Sequence, residues 1–202
     1  MPTTTRTEAV RLRAVISAER RELADMLGEL SEAQWDAPSL CSGWRVREVA
    51  AHMSMGFRLS LPRTLAELGR SGGRLHRMTD RVARRDAAAL TPAELVAALR
   101  DNAGHPWTPP VGGLTAALGH DVVHGLDITT ALGLDRRVPA ERLRLVLNGV
   151  DARSLKFFGA GLDGVPLRAT DLDWSLGAGT AEPLEAPAQE LVLRAFGRRL
   201  PG

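Results

Sequence analysis

The sequence is short of several things, and each shortage excludes something. There is one cysteine, Cys41, so no internal disulfide can form. No run of about 18 apolar residues occurs, which excludes a membrane-spanning helix. The first residues, Met1-Pro2-Thr3-Thr4-Thr5-Arg6, lead into a charged helix rather than an apolar signal core. Together these features favour the cytoplasm. Lysine is nearly absent: Lys156 is the only one among 26 basic residues. The arginines are balanced by 24 acids, leaving a net charge of +2. A nucleic-acid binder would concentrate its positive charge, so the bias reads as codon composition rather than a nucleic-acid footprint. Internal repeats and low-complexity tracts do not stand out.

What is there is apolar enough, at 44%, to build a sizeable core in 202 residues. Val10, Ile16, Leu23, Met26, Leu27 and Leu30 recur at helical spacing and predict a first helix over 7–30. Pro38 and Gly43 punctuate a loop before a second helix over 45–60, with Val49, Met53 and Leu59 on its buried stripe and His52 at the stripe's edge. Leu75, Met78 and Val82 suggest an amphipathic helix. Arg70, Arg74, Arg77, Arg81 and Arg84 line one side of that region, as a solvated face or as a place where Arg77 and Arg81 meet a ligand carboxylate. Thr91-Pro92-Ala93-Glu94 is a helix start, with Thr as N-cap, Pro at N1 and Glu at N3.

The stretch Gly119-His120-Asp121-Val122-Val123-His124-Gly125-Leu126-Asp127-Ile128 carries most of the chemistry. It lies in a helix predicted from Leu114 to Leu132. Residues four apart share a face, so His120 and His124 point the same way one turn apart. Two imidazoles so spaced form half of a metal site, and a catalytic site needs one more ligand and an open position. Asp127 stays on the same face and suits a carboxylate that orients an imidazole. Asp121 falls on another face, outside the site. His52, alone, reads more simply as a core histidine. Cys41 reads as a loop residue, since nothing in the sequence assembles a Cys/His dyad around it.

Beyond Gly133 the pattern changes. Pro139 to Phe158 reads as one helix. Val165, Leu167 and Ala169, then Leu172, Trp174 and Leu176, alternate as two strands, with a phase slip near Thr170-Asp171 that suggests a bulge. Gly177-Ala178-Gly179 reads as a turn, and Pro187 opens a last helix at N1. Residues 1–135 therefore read as an antiparallel helix bundle and 136–202 as a small α+β unit. Helix bundles build metal sites from facing side chains, so His52 and the His120/His124 pair could converge.

Cys41-Ser42-Gly43-Trp44-Arg45-Val46-Arg47-Glu48-Val49-Ala50-Ala51-His52-Met53 resembles the N-terminal signature of the mycothiol-dependent maleylpyruvate isomerase family, within the DinB-like bundles. His124-Gly125-Leu126-Asp127-Ile128 resembles its second signature. Leu167-Arg168-Ala169-Thr170-Asp171, Trp174, Pro187-Ala188 and Phe196-Gly197-Arg198 are similar to its small C-terminal domain. The resemblance implies a mainly α protein, a DinB-like four-helix bundle followed by the small α+β domain. It implies a divalent metal, usually zinc, on His52, His120 and His124, and mycothiol as thiol cosubstrate. The partners implied are a low-molecular-weight thiol and a small electrophile, with no nucleic acid and no membrane, in a monomer or homodimer. Arg198 is the tail residue suited to hold a substrate carboxylate. The family's isomerases often carry Glu where His120 stands, usually Thr where Arg45 stands, and often Arg where Ala117 stands. A metal-dependent hydrolase, or a metal- or ligand-binding protein without catalysis, are the competing readings.

Overall fold

In the computed structural model, residues 6–177 and 182–200 are described. The turn read at 177–179 falls partly outside them, as do the first five residues. The chain divides into two compact units, Met1–Leu132 and Gly133–Gly202, where the sequence reading put the junction at 135. It is mainly helical with a small sheet toward its C-terminus, the class expected from the sequence.

The first unit is a helical bundle. Its elements are α1 (Arg6–Gly28), α2 (Glu32–Trp35), α3 (Val46–Arg58), α4 (Leu61–Arg70), α5 (Leu75–Ala89), α6 (Pro92–Asp101) and α7 (Gly113–Ala131). α3 packs against α5, α6 and α7, while α1 packs against α6 and α7. The core gathers Leu23, Leu27, Trp35, Val49, Met53, Leu95, Leu99 and Ile128, all essentially inaccessible. Removing that much apolar surface from water, at about 25 cal/mol per Å², is what holds helices of ordinary propensity together.

Two details of the apolar stripes differ from the sequence reading. Val10 is exposed, and Leu12 takes the inward place in the first turns of α1. Leu75 is also exposed, since it opens α5 and only Met78 and Val82 of its stripe reach the interior. Helix starts follow local chemistry. Thr91 Oγ1 accepts from Glu94 N, and Glu94 reaches back to the Thr91 amide. At α3 the Arg45 side chain does not cap the helix. Glu48 Oε2 accepts the Arg45 amide at 2.8 Å and the Arg45 guanidinium pairs with Glu48, so the missing Thr cap is offset from N3. Burial works against ionised Glu48, but these Arg45 contacts outweigh it and hold the carboxyl below its ordinary range.

The second unit corrects the single helix read over 139–158. Two helices occur, α8 (Ala140–Leu147) and α9 (Ala152–Phe157). The break falls at Asn148-Gly149-Val150, and Asp151 caps the new helix by accepting from Ser154 N at 2.8 Å. β1 (Leu167–Ala169) pairs antiparallel with β2 (Ser175–Leu176) and parallel with β3 (Leu184–Ala186), in the order β2-β1-β3. The phase slip at Thr170-Asp171 is the connection between β1 and β2 rather than a bulge. Asp171 there accepts from Ala188 N at 2.7 Å and so caps α10 (Ala188–Ala195), with Pro187 at the N-cap rather than N1. β3 is a strand the sequence reading does not contain. Among the described residues, no helix is long and apolar enough to cross a membrane.

Candidate metal centre

α7 is buried over most of its length, with Leu118, Val122, Leu126 and Ile128 fully inaccessible. Ala116, His120 and His124 are the partly open residues along its middle, four apart, so they form the one stripe there that reaches a space outside the core. His52 faces that stripe from α3. The rings of His52 and His120 lie 5.0 Å apart, those of His52 and His124 4.9 Å, and those of His120 and His124 4.7 Å. One nitrogen from each ring falls within 4.8 Å of the others. The closest pair, His52 Nε2 and His120 Nε2, is 3.2 Å apart. Two nitrogens bound to one tetrahedral zinc at 2.0–2.1 Å would stand about 3.3 Å apart. The spacing and the all-nitrogen donor set therefore fit a zinc-type ion.

Both histidines of the pair are held from behind. His124 Nδ1 meets Asp127 Oδ2 at 2.9 Å, and His120 Nδ1 meets Asp121 Oδ1 at 2.9 Å. Both carboxylates are fully buried. A carboxylate on Nδ1 keeps the proton there and leaves Nε2 free to bind an ion. Asp127 stands where the sequence reading puts it. Asp121 does not: although its Cβ leaves α7 on another side, its carboxylate reaches back to the neighbouring imidazole. Behind Asp121 lies Arg20 of α1, whose Nε donates to Asp121 Oδ2 at 2.8 Å with both side chains inaccessible. Arg20 was legible only as a charge out of place, four after Ile16 and three before Leu23 on the stripe that forms the core.

The loop before α3 closes the other side. Gly43, at φ 76°, lets it reverse within a few residues. Its turn is pinned by Trp44 N to Cys41 O at 3.0 Å and by Ser39 Oγ to Trp44 O at 2.9 Å. The loop reaches α7 through Leu40 N, which donates to Asp127 O at 3.0 Å. This brings Cys41 into the site against the sequence reading. Its Sγ donates to Asp127 Oδ2 at 2.9 Å and lies 3.7 Å from His124 Nδ1. Trp44 packs its ring 5.2 Å from His52 and donates its indole N–H to Asp80 Oδ1 at 2.7 Å. On the far side, Trp107 packs 5.3 Å from His120. No spacing rule brings these two tryptophans to one site, because each comes from a loop.

The arginines fall differently. Arg81 is committed to Glu67, both to its carboxylate and to its backbone oxygen at 3.1 Å. Arg85 joins the same carboxylate at 2.7 Å. Arg81 and Arg85 together hold the Glu67 carboxyl below its ordinary range. Arg77 is exposed on α5. Arg198, in the second unit, donates to Phe196 O at 2.7 Å.

Residues 16–105 match the family model of the mycothiol maleylpyruvate isomerase N-terminal domain. Over that stretch the helical unit is similar to this family. The matched stretch contains Arg20, Cys41, Trp44 and His52 and ends before α7. His120 and His124 lie beyond the match, and geometry alone brings them to His52. No curated protein matches the chain, and no solved structure does.

Proposed function

We propose that this chain is a metal-dependent enzyme that activates a low-molecular-weight thiol, mycothiol, for transfer to a small electrophile or for its isomerisation. The observation that carries the reading is the convergence of three imidazole nitrogens, two of them with a buried carboxylate behind the ring. The family match supports mycothiol as the thiol. His52, His120 and His124 would hold the ion, zinc by the donor set. A divalent ion there depresses the pKa of a thiol, so that it is a thiolate near neutral pH.

The remaining roles belong to the chain. Asp121 and Asp127 fix the ring orientation and keep the proton on each Nδ1. Three neutral imidazoles leave a cationic centre, better suited to an anionic sulfur than the two-histidine, one-glutamate set common in the family's isomerases. Trp44 and Trp107 flank the opening and exclude water. Cys41 directs its proton at Asp127 and acts as a donor, not an attacking group. Arg77 is the proposed contact for a substrate carboxylate, while Arg81 is spent on Glu67. A thiol cosubstrate and a lone cysteine agree with a cytoplasmic setting.

The test is direct. Metal-loaded protein should hold about one divalent ion per chain. After cobalt substitution, mycothiol should produce a sulfur-to-cobalt charge-transfer band. A protein that takes up no metal, or a cobalt spectrum indifferent to mycothiol, would sink the reading.

A further inference from the structure

One residue of the first unit touches both a metal ligand's support and the wall of the site. Arg20 lies fully buried on α1. Through Nε it donates to Asp121 Oδ2 at 2.8 Å, and Asp121 Oδ1 meets His120 Nδ1 at 2.9 Å. Through Nη1 it donates to His105 O at 2.8 Å, with a longer contact to Ala103 O at 3.5 Å. Its guanidinium lies 4.7 Å from the centre of the Phe57 ring, which fixes the plane of the fork.

The loop so held carries Trp107. The Trp107 amide donates to His105 Nδ1 at 3.1 Å, so the indole follows the segment that Arg20 grips. The indole then lies against α3 at Gly56. A Cβ there would come within 2.3 Å of Cε2 and 2.5 Å of Cδ2 and Nε1, which are ring atoms with no freedom to swing aside alone. Gly56 is therefore the notch that admits Trp107 beside His120.

We infer that Arg20 is a positioning residue that couples the orientation of His120 to the seating of Trp107, so that ligand geometry and aromatic cover change together. Only a guanidinium fits the task. Nε and Nη1 are separate donors in one rigid plane, one aimed at the carboxylate and one at the loop carbonyls. A lysine gathers its three donors on one nitrogen and does not reproduce the spacing of Nε and Nη1 in one plane. The inference rests on the metal reading for the role of His120, but the hydrogen-bonded chain exists without an ion.

The experiment compares Arg20→Lys, Asp121→Asn and Gly56→Ala in the full chain. Three measurements are made on each: zinc affinity by chelator competition, acrylamide quenching of Trp107 taken as the difference from Trp107→Phe, and the ¹⁵N signature of the His120 tautomer in metal-free protein. Arg20→Lys should weaken zinc binding by about 10–100-fold, as loss of a ligand's support does, and should also raise Trp107 quenching. Asp121→Asn should weaken zinc, change the His120 tautomer and, by loosening the Nε side of Arg20, raise quenching less than Arg20→Lys does. Gly56→Ala should raise quenching alone. A folded Arg20→Lys protein with unchanged zinc affinity or unchanged quenching overturns the coupling. If Arg20→Lys does not fold, Asp121→Asn decides: an unchanged His120 tautomer overturns the chain, a changed tautomer with undisturbed quenching overturns the coupling, and a change in both upholds it. A wild-type protein that binds no zinc defeats the metal reading. The tautomer and quenching measurements still judge Arg20.

Discussion

His120 and His124 stand one turn apart on the same helix and turn Nδ1 to a buried aspartate at the same 2.9 Å, but what stands behind the two aspartates differs. Asp121 faces a buried guanidinium. Asp127 faces a thiol and a loop tied on by one backbone hydrogen bond. The first arrangement is a charge pair sealed from water, costly to break because either partner alone is stranded. In the second a thiol donates to the carboxylate and the loop amide to the backbone oxygen, contacts that can be exchanged at smaller cost. One half of the centre is thereby built for fixity, and the other leaves its support adjustable from a loop.

The comparison can be broken most directly at the ligands themselves. Changing either His120 or His124 to Ala should remove stoichiometric metal, read by elemental analysis after dialysis. Equal loss from both would show that the ion does not distinguish the two halves, whereas retention in either variant would remove that residue from the ligand set. The next largest effect separates them. Asp121→Asn strands Arg20 and should lower unfolding free energy by about 3–5 kcal/mol, while Asp127→Asn should cost about 1–3 kcal/mol. Urea denaturation of the metal-free proteins measures both, and a reversed order would mean that the thiol side bears the greater load.

A smaller effect is expected from Cys41→Ala. It removes one donor from Asp127 and should cost about 1 kcal/mol, with zinc affinity weakened only a few-fold. A loss as large as that of Asp127→Asn would make the thiol indispensable. The smallest effect lies away from the centre. The Glu67 carboxyl is held down by Arg81 and then Arg85. A lowered folded-state pKa contributes stability above the unfolded value of about 4.3 and loses it as pH falls through the folded value. Glu67→Gln should therefore flatten the acid limb of the stability profile below about pH 4.3 and leave zinc affinity unchanged. A shifted zinc affinity would tie the arginine face of α5 to the metal.

How much of this was legible depends on range. The His120/His124 pair and Asp127 follow from a period within one helix, and the Thr91 start from four consecutive residues. His52 could be placed on a helix edge, but that it faces α7 is a property of packing, and the family resemblance had to supply the connection. Asp121 was put on the wrong side because a helical wheel places Cβ atoms, not the carboxylate two bonds further on. Arg20 lies 101 residues from its partner and no local rule joins them. The helix over 139–158 failed for a different reason: apolar periodicity continues across Gly149 and Val150, and only the cap at Asp151 reveals the restart.

The burial of α7 has a consequence for motion. Leu118 to Thr129 includes no exposed residue, and the helix is enclosed by α1 and α3. Its amides should exchange with solvent only when the whole unit opens, making it the slowest-exchanging segment of the bundle. The two imidazoles it carries then keep their separation through every smaller fluctuation. Under the proposed metal reading, any adjustment to an arriving ion would have to come from the other side of the centre, as a rotation of the His52 ring or a shift of α3, and the pair would be a fixed rule against which ions of different radius are compared.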